Sequence, residues 1–428
     1  MSARAAPVTL APLVLVTCLT LLPPQTALNL GGIVMPFYRA GLIFAFPWLL
    51  YVWGKRGTRL HPLDGLMGFA IAWIFIALSV TESGQRALVN GGSSAIDIGI
   101  AYFLARVSLP DPTALRRFLI LLAPAFLLVA GSVALETLSG RYIVQPFFVQ
   151  VFGAAEESFI LADTEPRFGL LRGAGSFPHP ILAGLHLGSL LSLYYLSAVR
   201  GWPRVVGVAA SLSALFTLSS SALLMLSGQV VAIAYDRLTR TFAQATWRLF
   251  LGIVAVVILV LELGTERGAV RVMLELTALN SWTAYYRTLI WEHGVANVLA
   301  NPVFGIGFAD WVRPAWMPPS VDNYWLLVAM QYGLPEGLAR FALPFAGACL
   351  LAMRSRHLPE PDRSTLRGLA ISLLLFTLLG FSVALWNNTQ AWFYIVTGAT
   401  VSLALFARQR SVTEPRDQPI AEATPAHA

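Results

Sequence analysis

Charge is scarce in this sequence: only 12% of its 428 residues are Asp, Glu, Lys or Arg. Ordinary soluble domains carry about 25%. With 57% hydrophobic residues and a mean hydropathy of +0.68, the chain cannot clothe itself for water and reads as an all-α, polytopic membrane protein. Cysteine is almost missing. Cys18 and Cys349 both lie in apolar stretches, which excludes a disulfide framework and a thiolate metal site. The six histidines are scattered, with no HExxH and no Cys/His cluster at zinc spacing, so no metal is expected. A Walker A loop and a GxGxxG turn are also lacking, leaving no seat for a nucleotide or another cofactor. The net charge of +7 suits nucleic acid in principle, but its distribution fits membrane orientation, and no nucleic-acid partner is expected.

What is present is a run of apolar spans, each near the roughly 20 residues that cross a hydrocarbon core. They fall near 8–25, 32–53, 63–80, 90–109, 117–136, 180–199, 203–218, 220–236, 247–264, 334–353, 367–386 and 390–407. About twelve spans leave little for a soluble domain, so 1–408 reads as a single transmembrane helical domain. The first span follows Arg4 and resembles a signal peptide, yet Pro23-Pro24 and the next span follow without a mature soluble domain. With the N-terminus cytoplasmic, the inward segments collect Arg4, Lys55, Arg56, Arg59, Arg106, Arg116, Arg117, Arg200, Arg204, Arg237, Arg240 and Arg248. They continue with Arg354, Arg356, Arg363, Arg367, Arg408, Arg410 and Arg416. That is 19 of the 29 basic residues, the positive-inside asymmetry of a multi-pass protein with both termini cytoplasmic. The tail 409–428, rich in Pro, Ala and charge, reads as disordered.

Two outward segments are long, about 137–179 and about 265–333, and function is expected where a sequence spends residues on loops. The first ends Arg172-Gly-Ala-Gly-Ser-Phe-Pro-His-Pro180, a rigid approach to a span that holds Arg172 near the headgroup level. Arg172 then meets either lipid phosphate or a substrate; His179 is a helix-start residue or a base. The second holds Ser281 to His293, with the spacing of an amphipathic helix. Thr283, Arg287 and Trp291 share one face, so Arg287 either stacks on aromatics or binds substrate. After the Asn301-Pro302 turn, Asp322-Asn323 precedes an apolar run, where Asp322 is a helix cap or a catalytic base. Arg39, Asp97 and Arg340 fall in or near spans, where ionised groups are costly and mark pathways, structural pairs or snorkelling.

Taken in order, these residues resemble the O-antigen ligase and O-antigen (exopolysaccharide) polymerase family of bacterial polytopic membrane glycosyltransferases. The pattern is Arg172-Gly-Ala-Gly-Ser-Phe-Pro-His-Pro, Arg287 with Trp291, Asn301-Pro302-Val-Phe-Gly305-Ile-Gly307-Phe, Asp322-Asn323-Tyr-Trp-Leu and Tyr332-Gly333-Leu-Pro. It occupies roughly the second half of the chain. Where the family carries His-Asn, this chain reads Asp322-Asn323, and where many members carry Ser-Arg between central spans it reads Ser219-Ser220-Ser221.

The resemblance implies metal-independent, inverting transfer of a glycan from an undecaprenyl diphosphate to an acceptor hydroxyl at the outer face of the bacterial inner membrane. Arg172 and Arg287 are expected to clamp the diphosphate, being permanently charged and able to fork onto two oxygens. Asp322 is expected to take the acceptor proton, with Trp291, Asn323 and Arg39 helping to bind substrate. Partners are then the bilayer, the lipid-linked oligosaccharide, an acceptor glycan or glycolipid, and polysaccharide assembly proteins. A polymerase of repeat units is favoured over a ligase onto lipid A core. A transporter or lipid flippase, and a non-catalytic assembly partner, are the rival classes.

Overall fold

The computed structural model describes residues 9–24, 26–30, 33–56, 58, 60–152, 165–242, 244, 246–265, 268, 272, 275 and 281–413. The readings made for Arg4, Arg59, Arg416, the middle of the first outward loop, most of 266–280 and the tail beyond 413 lie outside the described residues. The chain is mostly helical, as its composition requires.

Helix α1 (Ala11–Thr20) is joined to α2 (Phe37–Arg56) by an antiparallel ribbon, β1 (Ala27–Leu30) with β2 (Ile33–Pro36), Ala27 facing Pro36. The helix expected from residue 32 therefore starts only at Phe37, because the β-branched Ile33 and Val34 pair as strand. Next come α3 (Pro62–Thr81) and α4 (Gly84–Ala95), the latter continued through a π turn at Ile96–Ile100 into α5 (Ala101–Ser108). Helices α6 (Pro112–Ser139) and α7 (Val144–Phe152) precede α8 (Pro180–Gly188), α9 (Leu190–Leu196) and α10 (Trp202–Leu212), which ends in a 3-10 turn at Ser213–Thr217. Then follow α11 (Ser220–Thr241), α12 (Trp247–Gly264), α13 (Ser281–Ala300), α14 (Tyr324–Tyr332), α15 (Leu334–Arg354), α16 (Asp362–Leu379) and α17 (Asn387–Thr413). The last helix runs on past residue 409, where the disordered tail was expected to begin, and Arg410 lies over the Phe406 ring.

Polar side chains set the starts. Asp111 accepts from the Ala114 N–H at 2.9 Å, Ser219 from Ala222 at 3.1 Å and Thr246 from Leu249 at 3.2 Å, satisfying backbone donors that a helix leaves unpaired. Among the described residues, six segments are long and apolar enough to cross a membrane: Pro62–Thr81, Gly84–Ser108, Pro112–Ser139, Trp247–Gly264, Leu334–His357 and Asn387–Arg410. Other expected spans are shorter, broken or more charged. Helix α1 has 10 residues, about 15 Å at 1.5 Å per residue. The span expected at 180–199 breaks at Ser189. Charged residues sit within α2 (Arg39), α11 (Asp236, Arg237, Arg240) and α16 (Arg363, Arg367).

The centre of the bundle is α17, whose Trp392, Phe393 and Tyr394 are buried. It packs on α5, α15 and α16. By contrast α12 buries none of its residues and meets the bundle at its start, where Trp247 and Phe250 pack on Tyr235 of α11. The basic turns gather at one end. There Asp64 accepts from Tyr102 at 2.7 Å and pairs with Arg106 at 3.3 Å, Arg116 pairs with Asp362, and Asp236 holds Arg240 at 2.7 Å and Arg367 at 3.0 Å. Arg172, Arg287 and Asp322 lie before α8, within α13 and before α14.

Candidate functional site

The segment leading into α8 is shaped by a residue that the sequence does not advertise. Glu136, in the last turn of α6, is fully buried, and its carboxylate accepts four backbone N–H groups. Oε1 takes Ile143 and Val144, both at 3.1 Å; Oε2 takes Ala174 at 3.1 Å and Gly175 at 2.7 Å. The turn can come this close because it carries glycines. A Cβ on Gly173 would overlap the Val133 carbonyl oxygen, and Gly175 has φ +56° with Ser132 Oγ only 2.7 Å from where its Cβ would stand. Thr137 completes the seat, accepting from the Gly173 N–H at 3.0 Å and donating to the Phe216 carbonyl at 2.7 Å.

This seat buries Arg172 to 7% exposure. Its Nε donates to the Thr217 carbonyl at 3.4 Å, while Nη2 is buried and has no protein partner. Five residues earlier, Arg167 closes a tight turn through mutual backbone bonds with Leu170, with Phe168 and Gly169 both at positive φ. Arg167 Nη1 donates to the Leu218 carbonyl at 2.9 Å. The two guanidinium groups therefore hang from consecutive carbonyls at the joint between the 3-10 turn and α11.

From the second outward segment, α13 supplies Arg287, 5% exposed, with Nε and Nη1 both buried and unpartnered. Asp322 is half-buried beside it. Burial raises the Asp322 pKa from its usual value and the Arg287 charge pulls it only partly back. Burial likewise lowers Arg287, with Asp322 opposing and Arg167 reinforcing the shift. Arg172 is brought down to about 10, by burial first and Arg167 second. Arg167 thus acts on both of the other arginines, which places all four side chains in one electrostatic neighbourhood.

The remaining candidates divide. Asn323, not Asp322, caps α14: its Oδ1 accepts from Leu326 N–H at 3.0 Å, which gives Asn323 a structural job and leaves the Asp322 carboxylate free of the cap. His179 caps α8 through Nδ1, accepting from Ile181 at 3.1 Å, and burial with Arg172 and Arg167 lowers its pKa to about 3. Trp291 is half-buried against a satellite core of Ile290, Val298, Trp311, Met317 and Val321. Arg39 is held elsewhere, donating from Nε and Nη2 to Asp97 at 2.9 and 2.7 Å, a structural pair in the bundle. Arg340 is likewise paired with Glu336 and bonds Tyr324 Oη at 3.3 Å.

A cavity of about 260 Å³ opens between residues 306–311 and α14; Trp311, Val321 and Gln331 line it, but none of the arginines does. An apolar groove of about 630 Å³ runs between α1 and α2, lined by Leu15, Leu19, Phe44 and Trp48. Among the described residues, no three His, Cys, Asp or Glu side chains gather to hold a metal ion. What the arginine neighbourhood offers chemically is a concentration of buried cationic N–H donors beside the Asp322 carboxylate. No protein-family model matches the chain, and no curated protein matches it.

Proposed function

We propose that this protein transfers a glycan from a polyprenyl diphosphate, of the undecaprenyl type, to an acceptor sugar hydroxyl, polymerising exopolysaccharide or O-antigen repeat units. In this reading the chain crosses the bacterial inner membrane about twelve times with both termini cytoplasmic, and the arginine neighbourhood faces outward. One observation carries it: Arg172 and Arg287 hold buried N–H donors that meet no protein partner. A buried cation is costly unless an anion reaches it. A lipid-borne diphosphate would supply that anion.

The step then runs without an external energy source. The acceptor oxygen forms a bond to the sugar C1 as the C1–O bond to the diphosphate breaks. The hydroxyl proton passes to Asp322, and the electron pair leaves with the diphosphate, whose growing charge Arg172 and Arg287 neutralise. Attack from the face opposite the leaving group inverts the anomeric centre. A transporter or flippase calls for unpaired charges along the whole depth, whereas Arg39 and Arg340 are each paired inside the bundle.

Single replacements, assayed for glycan transfer in membranes with matched protein levels, are expected to lower the rate by roughly 100- to 1,000-fold for Arg172→Ala and Arg287→Ala, and by roughly 100- to 10,000-fold for Asp322→Ala. Full activity in either arginine variant removes that residue from the clamp. Loss of the gene distinguishes acceptors: short chains on the surface lipid mark a polymerase, an uncapped core with chains retained on the carrier a ligase.

A further inference from the structure

Arg167 has no place in the two-arginine clamp, yet its position is built as carefully as that of Arg172. It sits at the base of the 167–170 turn, where two successive residues adopt positive φ, and its Nη1 is pinned on the Leu218 carbonyl. Arg172 is pinned one residue earlier, on the Thr217 carbonyl. Consecutive carbonyl oxygens lie only a few ångströms apart, so two guanidinium groups are brought together at the end of the 3-10 turn, the end of a helix that favours cations.

We propose that Arg167 is the residue that reads the second phosphate, so that the site selects a lipid diphosphate over a lipid monophosphate. Arg167, Arg172 and Arg287 share their surroundings with Asp322, Glu165 acts on Arg167, and His179 is neutral. Arg172 and Arg287 hold the buried unpartnered donors, and Arg167 adds a third cation on an anchor of its own, so a diphosphate engages both places at once where a monophosphate engages one. Arg167 is only half-buried, whereas Arg172 and Arg287 are buried, so the more exposed phosphate meets Arg167 while the deeper one meets the buried pair. The repulsion that Arg167 exerts on both other arginines is relieved when an anion sits between them.

This inference rests on the polyprenyl-diphosphate reading, and the experiment separates the two. Full-length protein in nanodiscs is titrated with farnesyl diphosphate and farnesyl monophosphate, wild type beside Arg167→Gln and Arg167→Lys. Gln keeps an N–H donor for the Leu218 carbonyl and drops the charge; Lys keeps both. The wild type is expected to prefer the diphosphate, Arg167→Gln to lose about tenfold or more of that preference, and Arg167→Lys to restore most of it. A preference unchanged in Arg167→Gln overturns the role of Arg167 and leaves the general reading standing. Equal loss in both variants together with a lowered melting temperature makes Arg167 a structural clamp and overturns the inference. Binding of neither lipid by the wild type overturns the diphosphate reading itself.

Discussion

At the scale of single residues the strongest constraint is which group can accept a proton. A general base works only in its deprotonated form, so activity falls as pH drops through its pKa. Burial raises Asp322 more than Arg287 lowers it, which places its acid limb above the ordinary carboxylate range near 4. His179, held near 3 by burial and two arginines, titrates below that range and spends its Nδ1 on capping α8. The two candidates therefore predict different profiles. On the alkaline side the permanent charge expected of Arg172 is revised: burial and Arg167 bring it down to about 10, so the clamp weakens as pH rises past that value. A bell-shaped rate profile is expected in membranes, with an acid limb that disappears from the residual activity of Asp322→Asn and a rate about 100- to 10,000-fold lower. An identical acid limb in that variant assigns the proton to another group.

At the scale of elements, the turn between α7 and α8 depends on Glu136 more than on any residue within the turn. Four N–H groups drawn from positions 143, 144, 174 and 175 converge on one carboxylate, fixing where Arg172 emerges. Glu136→Gln replaces one acceptor oxygen by a donor that faces N–H groups. Misplacement of a positioned group by about 1 Å costs on the order of 100-fold in rate. Glu136→Gln is expected to reduce transfer by about that factor while helix content, followed by circular dichroism, stays near wild type; unchanged transfer would show that the turn holds Arg172 without it. Arg172, Arg287 and Asp322 draw attention in the sequence through the long loops and motifs that carry them, whereas Glu136 lies at the end of a span and its partners are 7 to 39 residues downstream. The choice left open for Asp322 between cap and base could not be made from sequence, because Asp322 and Asn323 can both cap a helix and only the backbone geometry selects Asn323. The break at Ser189 and the 3-10 turn at Ser213–Thr217 stayed hidden for a different reason: both keep the apolar composition of the spans that contain them.

At the scale of the whole molecule, the two ends differ in what their charges do. At one end arginines are consumed by carboxylates, as in Arg116 with Asp362 and Arg367 with Asp236, and the proposed orientation turns that end, with its basic turns, to the cytoplasm. At the other, Arg172 and Arg287 keep donors in reserve. A lipid-linked donor displayed on the outer face can meet that second end only if the first faces the cytoplasm, so orientation and chemistry stand or fall together. Cys18 and Cys349 are only half-buried and are replaced by serine to give a clean background. Two exposed positions then report the ends: Arg200→Cys in the turn between α9 and α10, and Ala309→Cys in the segment after α13. With intact spheroplasts and a membrane-impermeant maleimide, Ala309→Cys is expected to label at once and Arg200→Cys only after permeabilisation. The reverse pattern would turn the arginine neighbourhood towards the cytoplasm, where nucleotide-activated donors are at hand, and would remove the reason for a polyprenyl diphosphate.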